Sequence, residues 1–437
     1  MKNRKNSIAI LLVLALLFVS TSTVLFAQGQ KSTKEGGPIT LTVWNFKYAE
    51  EIAGKAFQEM DKLFMEQNPG IIIDHQAQPE SNYYQMLLSA FSAESDLDVF
   101  LTHTDQRAWG ISESFRVLDD DIADVMDTYA ESARKACSET NSSDSDIKIL
   151  PLTAQGVGYY YNKANFVKAG LNPEKIPADW DDFLAACEAL KKTGITPIIF
   201  GNQGSPFGID FTYRVILGTL LGADAIDGFA NGSSNFTSAE FAQATSMIKE
   251  LFDKGYVNVE NASIPYFMDA INAFKNGDGG FFPGLTSDIA HWKDFGDVLG
   301  YENIGYFPSP VADNAKYPLA QVNQGAGIGF AVTAYSPNGE AAAKYAQFMT
   351  SGEAGKIFMD ATGAIVPNST IPMDSSNPVL SKILDHMNNN AVPDILNRIP
   401  GGMINDFYNF MNLYFIANEI SQEKYIEQVQ NIYKNNL

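Results

Sequence analysis

The segment GVGYYYNK at residues 156–163 decides the fold of this chain. Aromatic and β-branched side chains alternate along it, which favours a strand that ends at the final Asn-Lys pair. A short helix then ends at Gly170, where glycine accepts the left-handed cap. Asp179 is a candidate N-cap for a longer helix, and a short buried strand is predicted at residues 197–200. This succession of strand, helices and strand indicates an α/β fold.

The amino-terminal side of the chain repeats this alternation of strands and helices. Residues 39–44 (ITLTVW) alternate apolar and polar side chains, as a strand with one buried face does. A helix follows, ends at the Asn-Pro-Gly turn of residues 68–70, and gives way to predicted strands at 71–73 and 97–101. Such alternation predicts a parallel sheet with helices on its faces.

Polar and aromatic side chains follow the predicted strand ends. In parallel α/β sheets, ligands bind beyond the carboxyl ends of the strands. That rule places Trp44, Asn45, Glu80 and Asp105 along one edge of the first sheet. Trp44 fits a cleft or the core equally well, so both interpretations stay open.

The composition describes an acidic, folded protein. Its 437 residues are too many for one compact core, so two lobes are expected. Hydrophobic residues make up 45% and charged residues 19%, which argues against a disordered acidic chain. A formal charge of −21 disfavours nucleic acid and anionic membrane surfaces as partners. The presence of only six arginines argues modestly against an anionic ligand.

The amino terminus has the pattern of a secretory signal peptide. Basic residues precede an apolar run at 8–19 and a small-residue region that ends at Ala27. We therefore expect a signal peptide at 1–27 and a disordered leader at 28–37. An uncleaved membrane anchor is the alternative, although the run is short for a spanning helix. No cysteine lies near the cleavage region to carry a lipid, so a freely diffusing periplasmic protein is expected.

Sequence motifs of catalysis and metal binding are absent. The four histidines are widely spaced and form no HExxH or Cys/His cluster, and no G-x-S-x-G motif occurs. We therefore predict no catalytic residues, no metal and no cofactor. Composition alone leaves a paired-carboxylate glycosidase open. Cys137 and Cys187 would form either one disulfide or, as we favour, two buried thiols.

A resemblance to a known family extends over residues 161–183. Tyr-Asn-Lys at 161–163 is followed by Phe166, by Ala-Gly-Leu at 169–171 and by a Pro-x-x-Trp-x-x-Phe motif that begins at Pro177. In this order and spacing the chain resembles bacterial family 1 extracellular solute-binding proteins, the sugar-binding receptors of ABC importers. The resemblance implies a periplasmic-binding-protein type II-like fold, in which two α/β lobes are joined by a multi-crossing hinge.

The same resemblance, which continues weakly over nearly the whole mature chain, implies an interleaved domain order. The first lobe would comprise residues 38–154 and 309–350. The second lobe would comprise residues 155–308 and 351–437, ending in helices. The chain would first cross between the lobes at Gln155-Gly156, where a glycine permits hinge rotation.

The predicted ligand site follows from the chemistry of sugars. Sugars present apolar C–H faces and rings of hydroxyl groups, so a receptor needs flat aromatic rings and polar side chains. The resemblance adds residues near family binding loops to those at the sheet edge. The complete predicted site is Trp44, Asn45, Glu80, Asp105, Arg107, Trp109, Gln155, Phe207, Thr286, Asp288, Trp292 and Tyr408.

Several of these residues have a purely structural alternative. Asp105 and Arg107 stand where similar receptors bind sugar hydroxyls, or they form a surface ion pair that contributes little energy. Asp288 binds ligand or only caps a helix. Residues 279–286 (GGFFPGLT) resemble the strand and binding turn of the family. In relatives this turn carries a tryptophan soon after its glycine, whereas in this chain the first tryptophan after the turn is Trp292.

The resemblance also implies a function. It describes a monomeric periplasmic receptor that closes over a carbohydrate, expected to be an oligosaccharide, and delivers it to the membrane permease of an ABC importer. Two alternatives stay open: a two-lobed receptor for a non-sugar solute such as a peptide, polyamine or metal, and a secreted carbohydrate-active enzyme. Recovery of the ligand unchanged separates a receptor from an enzyme.

Overall fold

The structure, a computed structural model, describes residues 37–138, 145–258, 266–286, 291–318, 321–323, 325–373, 376–389 and 391–437. The predicted signal peptide, nearly all of the leader, and Asp288 of the predicted site lie outside these ranges. Ile39–Leu437 forms one compact unit. Within the described ranges, no helix has both the length and the apolar character that crossing a bilayer requires.

The described residues form strands that include those predicted from the sequence at 39–44, 71–73, 97–101, 156–163 and 197–200. In chain order they are β1 (Ile39–Asn45), β2 (Ile71–Ala77), β3 (Val99–His103), β4 (Ile149–Pro151), β5 (Gly156–Asn162), β6 (Thr196–Ile198), β7 (Gly279–Leu285), β8 (Ile304–Phe307), β9 (Gln321–Asn323), β10 (Ile328–Val332) and β11 (Ala391–Pro393). The predicted strand in the GVGYYYNK segment is β5, and the three predicted amino-terminal strands are β1 to β3.

Helices separate most of these strands. They are α1 (Glu51–Gln67), α2 (Tyr83–Ser92), α3 (Gln106–Trp109), α4 (Glu131–Ala136), α5 (Lys163–Lys168), α6 (Trp180–Lys192), α7 (Phe207–Leu221), α8 (Ala223–Asp227), α9 (Ala239–Asp253), α10 (Phe267–Lys275), α11 (His291–Leu299), α12 (Gly339–Met349), α13 (Gly352–Thr362), α14 (Pro378–Asn389), α15 (Ile404–Met411) and α16 (Gln422–Asn436). Short 3-10 segments include Glu80–Asn82, Ile395–Asn397 and Gly401–Met403, and Asn412–Ile416 is a π segment.

The first sheet has the strand order β2-β1-β3-β10-β4. β1 pairs in parallel with β2 and β3, whereas β10 runs antiparallel between β3 and β4. The carboxyl ends of β1, β2 and β3 therefore share one edge with the start of β10, where Ile328 pairs with His103. This edge carries Asn45 and leads into α3, so the strand ends meet at the edge that the strand–helix alternation predicts.

The second sheet is built around β5. Its strand order is β11-β9-β5-β7-β6, and β8 also pairs with β5. All seven residues of β5 are buried, so this strand forms the centre of its lobe. Gly158 within it is required by close packing, because a Cβ there would lie 2.2 Å from the hydroxyl of Tyr306.

Helix α6 shows how local signals set one of these elements. Asp179 caps it by accepting a hydrogen bond from the backbone N–H of Asp182 at 2.8 Å, which confirms the predicted N-cap. The apolar face of the helix is buried in the second lobe. The indole N–H of Trp180 donates to Glu250 at 2.9 Å, so this tryptophan of the Pro-x-x-Trp-x-x-Phe motif has a structural role.

Each lobe has its own hydrophobic core. The first core draws residues from 41–152 and 326–364, and the second from 157–257 and 281–433. A smaller third core lies around β8 and α11. Cys137 is buried in the first core and Cys187 in the second, and both are free thiols, which confirms the favoured interpretation over a disulfide.

The predicted lobe boundaries stay predictions, and the observed contacts would shift two of them. β9 lies within the segment 309–350 predicted for the first lobe, yet it pairs with β5 and β11 of the second sheet. α13 lies within the segment 351–437 predicted for the second lobe, yet it packs against α1 and places Phe358 in the first core. In both cases the burial of apolar side chains, rather than position along the chain, decides the partner.

Within the described ranges, three chain crossings join the lobes. One follows β4, one lies between β9 and β10, and one follows α13. The backbone N–H of Ala154 donates to the carbonyl of Ile365 at 2.7 Å, and Gly327 donates to Thr153 at 2.8 Å. The crossings therefore run side by side, which confirms the predicted fold of two α/β lobes with a multi-crossing hinge.

Candidate functional site

The carboxyl end of β1 presents one buried polar side chain to the sheet edge. Asn45 is fully buried, and its side-chain oxygen accepts a hydrogen bond from the backbone N–H of Lys47 at 2.7 Å. Its Nδ2 has no hydrogen-bond partner within the described residues. A buried amide group without a partner is costly, so Nδ2 is a donor suited to a ligand acceptor.

An aromatic and imidazole pair continues this edge. The ring of Phe46 stacks on that of His103, with centroids 4.8 Å apart and planes 9° from parallel. His103 Nδ1 lies 2.8 Å from the hydroxyl of Tyr84. Sequence reasoning missed Phe46 and Tyr84, because the pattern at each position is that of an ordinary strand or helix residue. The strand order does place His103 at this edge, where a structural role was expected for it.

Asp105 and Arg107 bind each other at the start of α3. The guanidinium Nη2 lies 2.6 Å from Asp105 Oδ2, and Nε lies 3.0 Å from Oδ1. Asp105 also caps the helix by accepting from the backbone N–H of Arg107 at 2.9 Å. Burial opposes the ionised carboxylate, but the neighbouring Arg107 outweighs it, so the pKa of Asp105 lies below its ordinary value.

Tyr84 and Glu80 also interact with Arg107 at the carboxyl edge of the first sheet. Its guanidinium lies over the ring of Tyr84, 5.6 Å from the centroid. The carboxylate of Glu80 also favours the charged form of Arg107 and helps to raise its pKa. About half of the Arg107 side chain is exposed (51%), so it keeps donors that face solvent. We call Asn45, Phe46, Tyr84, His103, Asp105 and Arg107 the first-lobe wall.

Aromatic rings form the opposing surface. Phe207, the first residue of α7, lies 5.2 Å from Phe267 and 6.3 Å from Tyr408, measured between ring centroids. All three are only partly buried, so part of each side chain stays accessible to solvent. We call these three residues the aromatic wall. Phe267 was missed because its α10 position reads as the apolar start of a helix.

The two walls meet where α3 approaches the segment before α15. A Cβ at Gly401 would lie only 2.7 Å from the Cβ of Gln106, so glycine permits this approach. Burial raises the pKa of Tyr408 well above its ordinary value, with Arg107 on the first-lobe wall opposing the rise. Tyr408 therefore lies within electrostatic range of Arg107, and the predicted residues Asp105, Arg107, Phe207 and Tyr408 face the same junction between the lobes.

The hinge contributes Gln155 and Thr286. The backbone N–H of Thr286 donates to the carbonyl of Gly156 at 3.0 Å. The Thr286 hydroxyl is buried and has no hydrogen-bond partner within the described residues. Gln155 Oε1 lies 2.8 Å from the position that a Cβ at Gly327 would take. Glycine at this position therefore allows the crossing after β4 and the crossing before β10 to pack closely. Both residues lie at the hinge between the two walls.

The three remaining predicted tryptophans differ in their hydrogen bonds: the indole groups of Trp44 and Trp292 are bonded within the protein, and that of Trp109 is not. Trp44 donates its indole N–H to Gln76 at 3.1 Å, across the β1–β2 pair. Trp292 is 8% exposed, lies in the third core and donates to the carbonyl of Gly363 at 3.0 Å, so the structure does not bring it to either wall. Trp109 is also 8% exposed, but its indole N–H has no hydrogen-bond partner within the described residues.

Metal binding has no support at this site. Across the part of the chain that the structure describes, no group of three or more His, Cys, Asp or Glu side chains is placed to hold a metal ion. The arrangement instead offers amide and guanidinium donors, a carboxylate acceptor and aromatic faces. Such a set suits a polyhydroxylated ligand with apolar faces.

Comparisons with known proteins agree with this geometry. A family model described as bacterial extracellular solute-binding protein matches residues 48–356. A binding protein of Brucella abortus is 29% identical over 267 residues, which are 59% of this chain and 61% of that relative's length. An uncharacterised ABC transporter extracellular-binding protein of Pyrococcus horikoshii is 22% identical over 85% of this chain and 81% of its own length.

Solved structures show the same fold. A chitin oligosaccharide binding protein superposes with a TM-score of 0.76, covering 91% of this chain and 99% of its own, at 20% sequence identity. At that identity the similarity establishes the fold. The matched proteins and the matched family are binding proteins rather than enzymes.

Proposed function

Since this chain belongs to the bacterial extracellular solute-binding protein family, we propose that it is the substrate-binding component of an ABC importer and encloses a carbohydrate between its two lobes. The observation that carries the proposal is the aromatic wall of Phe207, Phe267 and Tyr408 opposite the hydrogen-bonding first-lobe wall. Aromatic faces accept the C–H face of a sugar, while Asp105 and Arg107 engage its hydroxyls.

The charges of the site favour a neutral sugar over a uronic acid or a sugar phosphate. Arg107 is already paired with Asp105, and the ammonium of Lys47 is paired with Glu50 at 3.1 Å. An anionic ligand would therefore meet cations whose charge is already compensated by these carboxylates. A neutral oligosaccharide can instead accept from Arg107 and donate to Asp105 without breaking their pair.

Binding between the lobes would supply the transport signal. A ligand that touches both walls binds the closed arrangement more tightly than the open one, and so shifts the population toward it. The closed, loaded receptor then docks on the permease as a monomer, in the periplasm to which the expected signal peptide directs it. The ABC-transporter description of the Pyrococcus horikoshii relative supports this partner.

A binding screen of the chain from residue 28 onward tests the proposal. The panel contains raffinose, stachyose, maltotetraose, xylotetraose and chitotetraose, with glucuronate, spermidine, a tetrapeptide and Zn²⁺ as the competing classes. A neutral oligosaccharide should raise the melting temperature, because ligand at 100 times its dissociation constant adds about 2.7 kcal/mol to the free energy of unfolding. Chromatography of the bound sugar afterwards should recover it intact.

Two results would contradict the proposal in different ways. A shift with spermidine, the tetrapeptide or Zn²⁺ alone would keep the receptor fold and overturn the sugar assignment. A neutral oligosaccharide recovered in cleaved form would identify an enzyme. Phe207→Ala and Arg107→Gln should each weaken the response to the sugar, whereas Val167→Ala, an exposed position on α5, should not.

A further inference from the structure

The imidazole of His103 is held on the first-lobe wall from two sides. Its ring stacks on that of Phe46 with the planes 9° apart, and its Nδ1 lies 2.8 Å from the hydroxyl oxygen of Tyr84. The backbone N–H of His103 also donates to that hydroxyl oxygen at 3.1 Å. His103 is the last residue of β3 and is only partly buried, so this fixed ring lies at the carboxyl edge of the first sheet.

The hydrogen bonds of Tyr84 decide which ring nitrogen of His103 carries the proton. The phenol oxygen already accepts from the His103 backbone, so its own proton needs an acceptor. His103 Nδ1 offers one at 2.8 Å, whereas Thr102 Oγ1 lies at 3.4 Å, which is long for an O–H···O hydrogen bond. Burial raises the pKa of Tyr84 to about 12, so the phenol keeps its proton at neutral pH. Tyr84 therefore donates to Nδ1, and the proton of the neutral imidazole lies on Nε2.

His75, on β2 of the same lobe, has the opposite arrangement. Its side chain is 1% exposed, and its Nδ1 lies 2.7 Å from Asp61 Oδ2. An ionised carboxylate only accepts hydrogen bonds, so a neutral His75 carries its proton on Nδ1. Asp61 also accepts from the hydroxyls of Tyr48 at 3.1 Å and Tyr345 at 2.5 Å, as a carboxylate does. We therefore expect His75 and His103 in opposite tautomers.

We propose that His103 is a specificity-determining residue, which Tyr84 locks in the Nε2–H tautomer so that it donates a hydrogen bond to the bound ligand. Nε2 lies on the other side of ring carbon Cε1 from Nδ1, so its N–H points away from Tyr84. The donor persists on acidification, because the imidazolium carries a proton on both nitrogens. The proposal rests on the proposed function, since it assumes that the ligand lies against the first-lobe wall.

A fixed donor at this point selects the ligand group that faces it. A hydroxyl oxygen, a ring oxygen or an acetamido carbonyl of a sugar accepts from Nε2–H. An ammonium group offers only donors, so it would leave this N–H without an acceptor, which disfavours spermidine. Arg107 adds donors to the same wall, and its guanidinium lies over the ring of the same Tyr84, 5.6 Å from the centroid. Tyr84 therefore supports both groups, and the wall favours a neutral ligand rich in oxygen acceptors.

The tautomers can be measured without any ligand. The chain from residue 28 onward is produced with ¹⁵N-labelled histidine, and its four imidazoles are resolved by long-range ¹H–¹⁵N correlation at pH 8.5, where free imidazole is neutral. Loss of signals in His103→Gln and His75→Gln assigns the two rings. His103 should show a protonated Nε2 and His75 a protonated Nδ1, and Tyr84→Phe should average the two nitrogen shifts of His103 alone. A protonated Nδ1 at His103, or no change in Tyr84→Phe, would overturn the proposal.

The effect on binding is measured by calorimetry with the panel oligosaccharide that binds best. His103→Phe keeps a flat ring to stack on Phe46 but has no N–H, so its dissociation constant should rise about fivefold, the size of one hydrogen bond. His103→Gln loses the ring but places an amide N–H near the position of Nε2, so it should bind more tightly than His103→Phe. A histidine that acts only by stacking would give the reverse order, which refutes the donor role. His386→Gln, whose ring lies beside Tyr306 on β8 rather than on either wall, should bind as the wild type does.

The two measurements separate the possible failures. If no panel sugar binds while the His103 tautomer is as expected, the proposed function fails and takes the ligand contact of His103 with it, but the tautomer assignment stands. If a sugar binds and His103→Gln is the weaker variant, the donor role fails alone. Should both His103 variants not fold, Tyr84→Phe carries the binding test at pH 8.5. Halving the population of the donor tautomer should raise the dissociation constant about twofold, and an unchanged constant refutes the proposal.

Discussion

The Asp105–Arg107 pair and a buried group of Asp210, Arg214 and Asp394, which we call the Arg214 cluster, use the same chemistry in opposite surroundings. In this cluster Arg214 places Nε 3.1 Å from Asp394 Oδ1 and Nη1 3.3 Å from Asp210 Oδ2. Both join a guanidinium to carboxylates through paired hydrogen bonds. The Arg107 side chain is 51% exposed, whereas that of Arg214 is 3% exposed. One pair lies at the cleft edge of the first lobe, and the other lies inside the second lobe behind the aromatic wall.

Because of this difference in burial, we expect the Asp105–Arg107 pair to contribute mainly to ligand binding and the Arg214 cluster mainly to the free energy of unfolding. Solvent screens an exposed ion pair, so its loss changes the free energy of unfolding little, but its charges stay available to a ligand. In the interior, removal of one partner leaves an uncompensated charge that water cannot reach. We therefore expect the first lobe to tolerate loss of its arginine structurally, and the second lobe not to.

The largest expected effect is that of Arg214→Met. It leaves Asp210 and Asp394 facing each other without a cation, so the free energy of unfolding should fall by about 3–5 kcal/mol. Urea unfolding at pH 7.5 measures this loss, with Arg116→Met, whose ion pair with Asp121 is less buried, as the matched control. A loss below about 1 kcal/mol for Arg214→Met would break the comparison between the buried and exposed pairs.

The next effect separates two aromatic residues that the sequence places in the same site. Phe207→Ala should weaken binding of the panel sugar by about thirtyfold, or ~2 kcal/mol, because it removes a central ring of the aromatic wall. Trp292→Phe should leave the affinity unchanged and lower the free energy of unfolding by about 1–3 kcal/mol, since its hydrogen bond to Gly363 is lost and the smaller ring leaves a gap in the third core. Calorimetry and urea unfolding of both variants supply the two numbers.

Equal losses of affinity in these two variants would contradict the structural assignment. Trp292 would then contact the ligand in spite of its place in the third core. Phe207→Leu provides an intermediate case, because it keeps apolar bulk but removes the flat face. If Phe207→Leu binds as well as the wild type, stacking is not the source of affinity.

How much the sequence could predict depends on how local each signal is. The strand β5 and the cap at Asp179 follow from alternation and side-chain chemistry within a few residues, and both predictions are confirmed. The edge that carries Asn45 and Asp105 follows from the strand–helix order, since carboxyl ends of parallel strands meet at one side. These features need no knowledge of distant partners.

The Arg214 cluster could not be predicted in this way. Arg214 and Asp394 are 180 positions apart, and nothing near either residue marks the other as a partner. One local signal was present, because Asp210 and Arg214 lie four positions apart on an otherwise apolar helix. That spacing places them on one helical face, where a buried ion pair is the natural explanation.

The third effect is the pH dependence that buried Asp210 gives to the free energy of unfolding. Its pKa of about 6 in the folded protein lies above the ordinary 3.8, so folding favours the protonated form. Its stabilising contribution is therefore present below about pH 4 and is lost as the pH rises to about 6, by roughly 2 kcal/mol. The difference in free energy of unfolding between the wild type and Asp210→Asn should fall by this amount across that window, measured by urea unfolding.

A flat difference over the same window would show that Asp210 does not titrate abnormally. Asp224→Asn is the control, since an exposed aspartate should run parallel to the wild type at every pH. If the expected slope appears, acid stabilises the folded protein through Asp210. A general acid-induced loosening would instead lower the free energy of unfolding of the wild type and of both variants alike, and the difference would stay flat.

The smallest expected effect on stability is that of Arg107→Gln, which keeps length and hydrogen-bonding capacity but removes the charge. The free energy of unfolding should change by less than ~1 kcal/mol, because the pair with Asp105 is exposed and screened. A double-mutant cycle with Asp105→Asn should likewise give a small coupling energy in urea unfolding, but a larger one in the affinity for the panel sugar. A large coupling in unfolding would mean that the cleft pair stabilises the first lobe, as Arg214 does the second, and the division of binding from stability would fail.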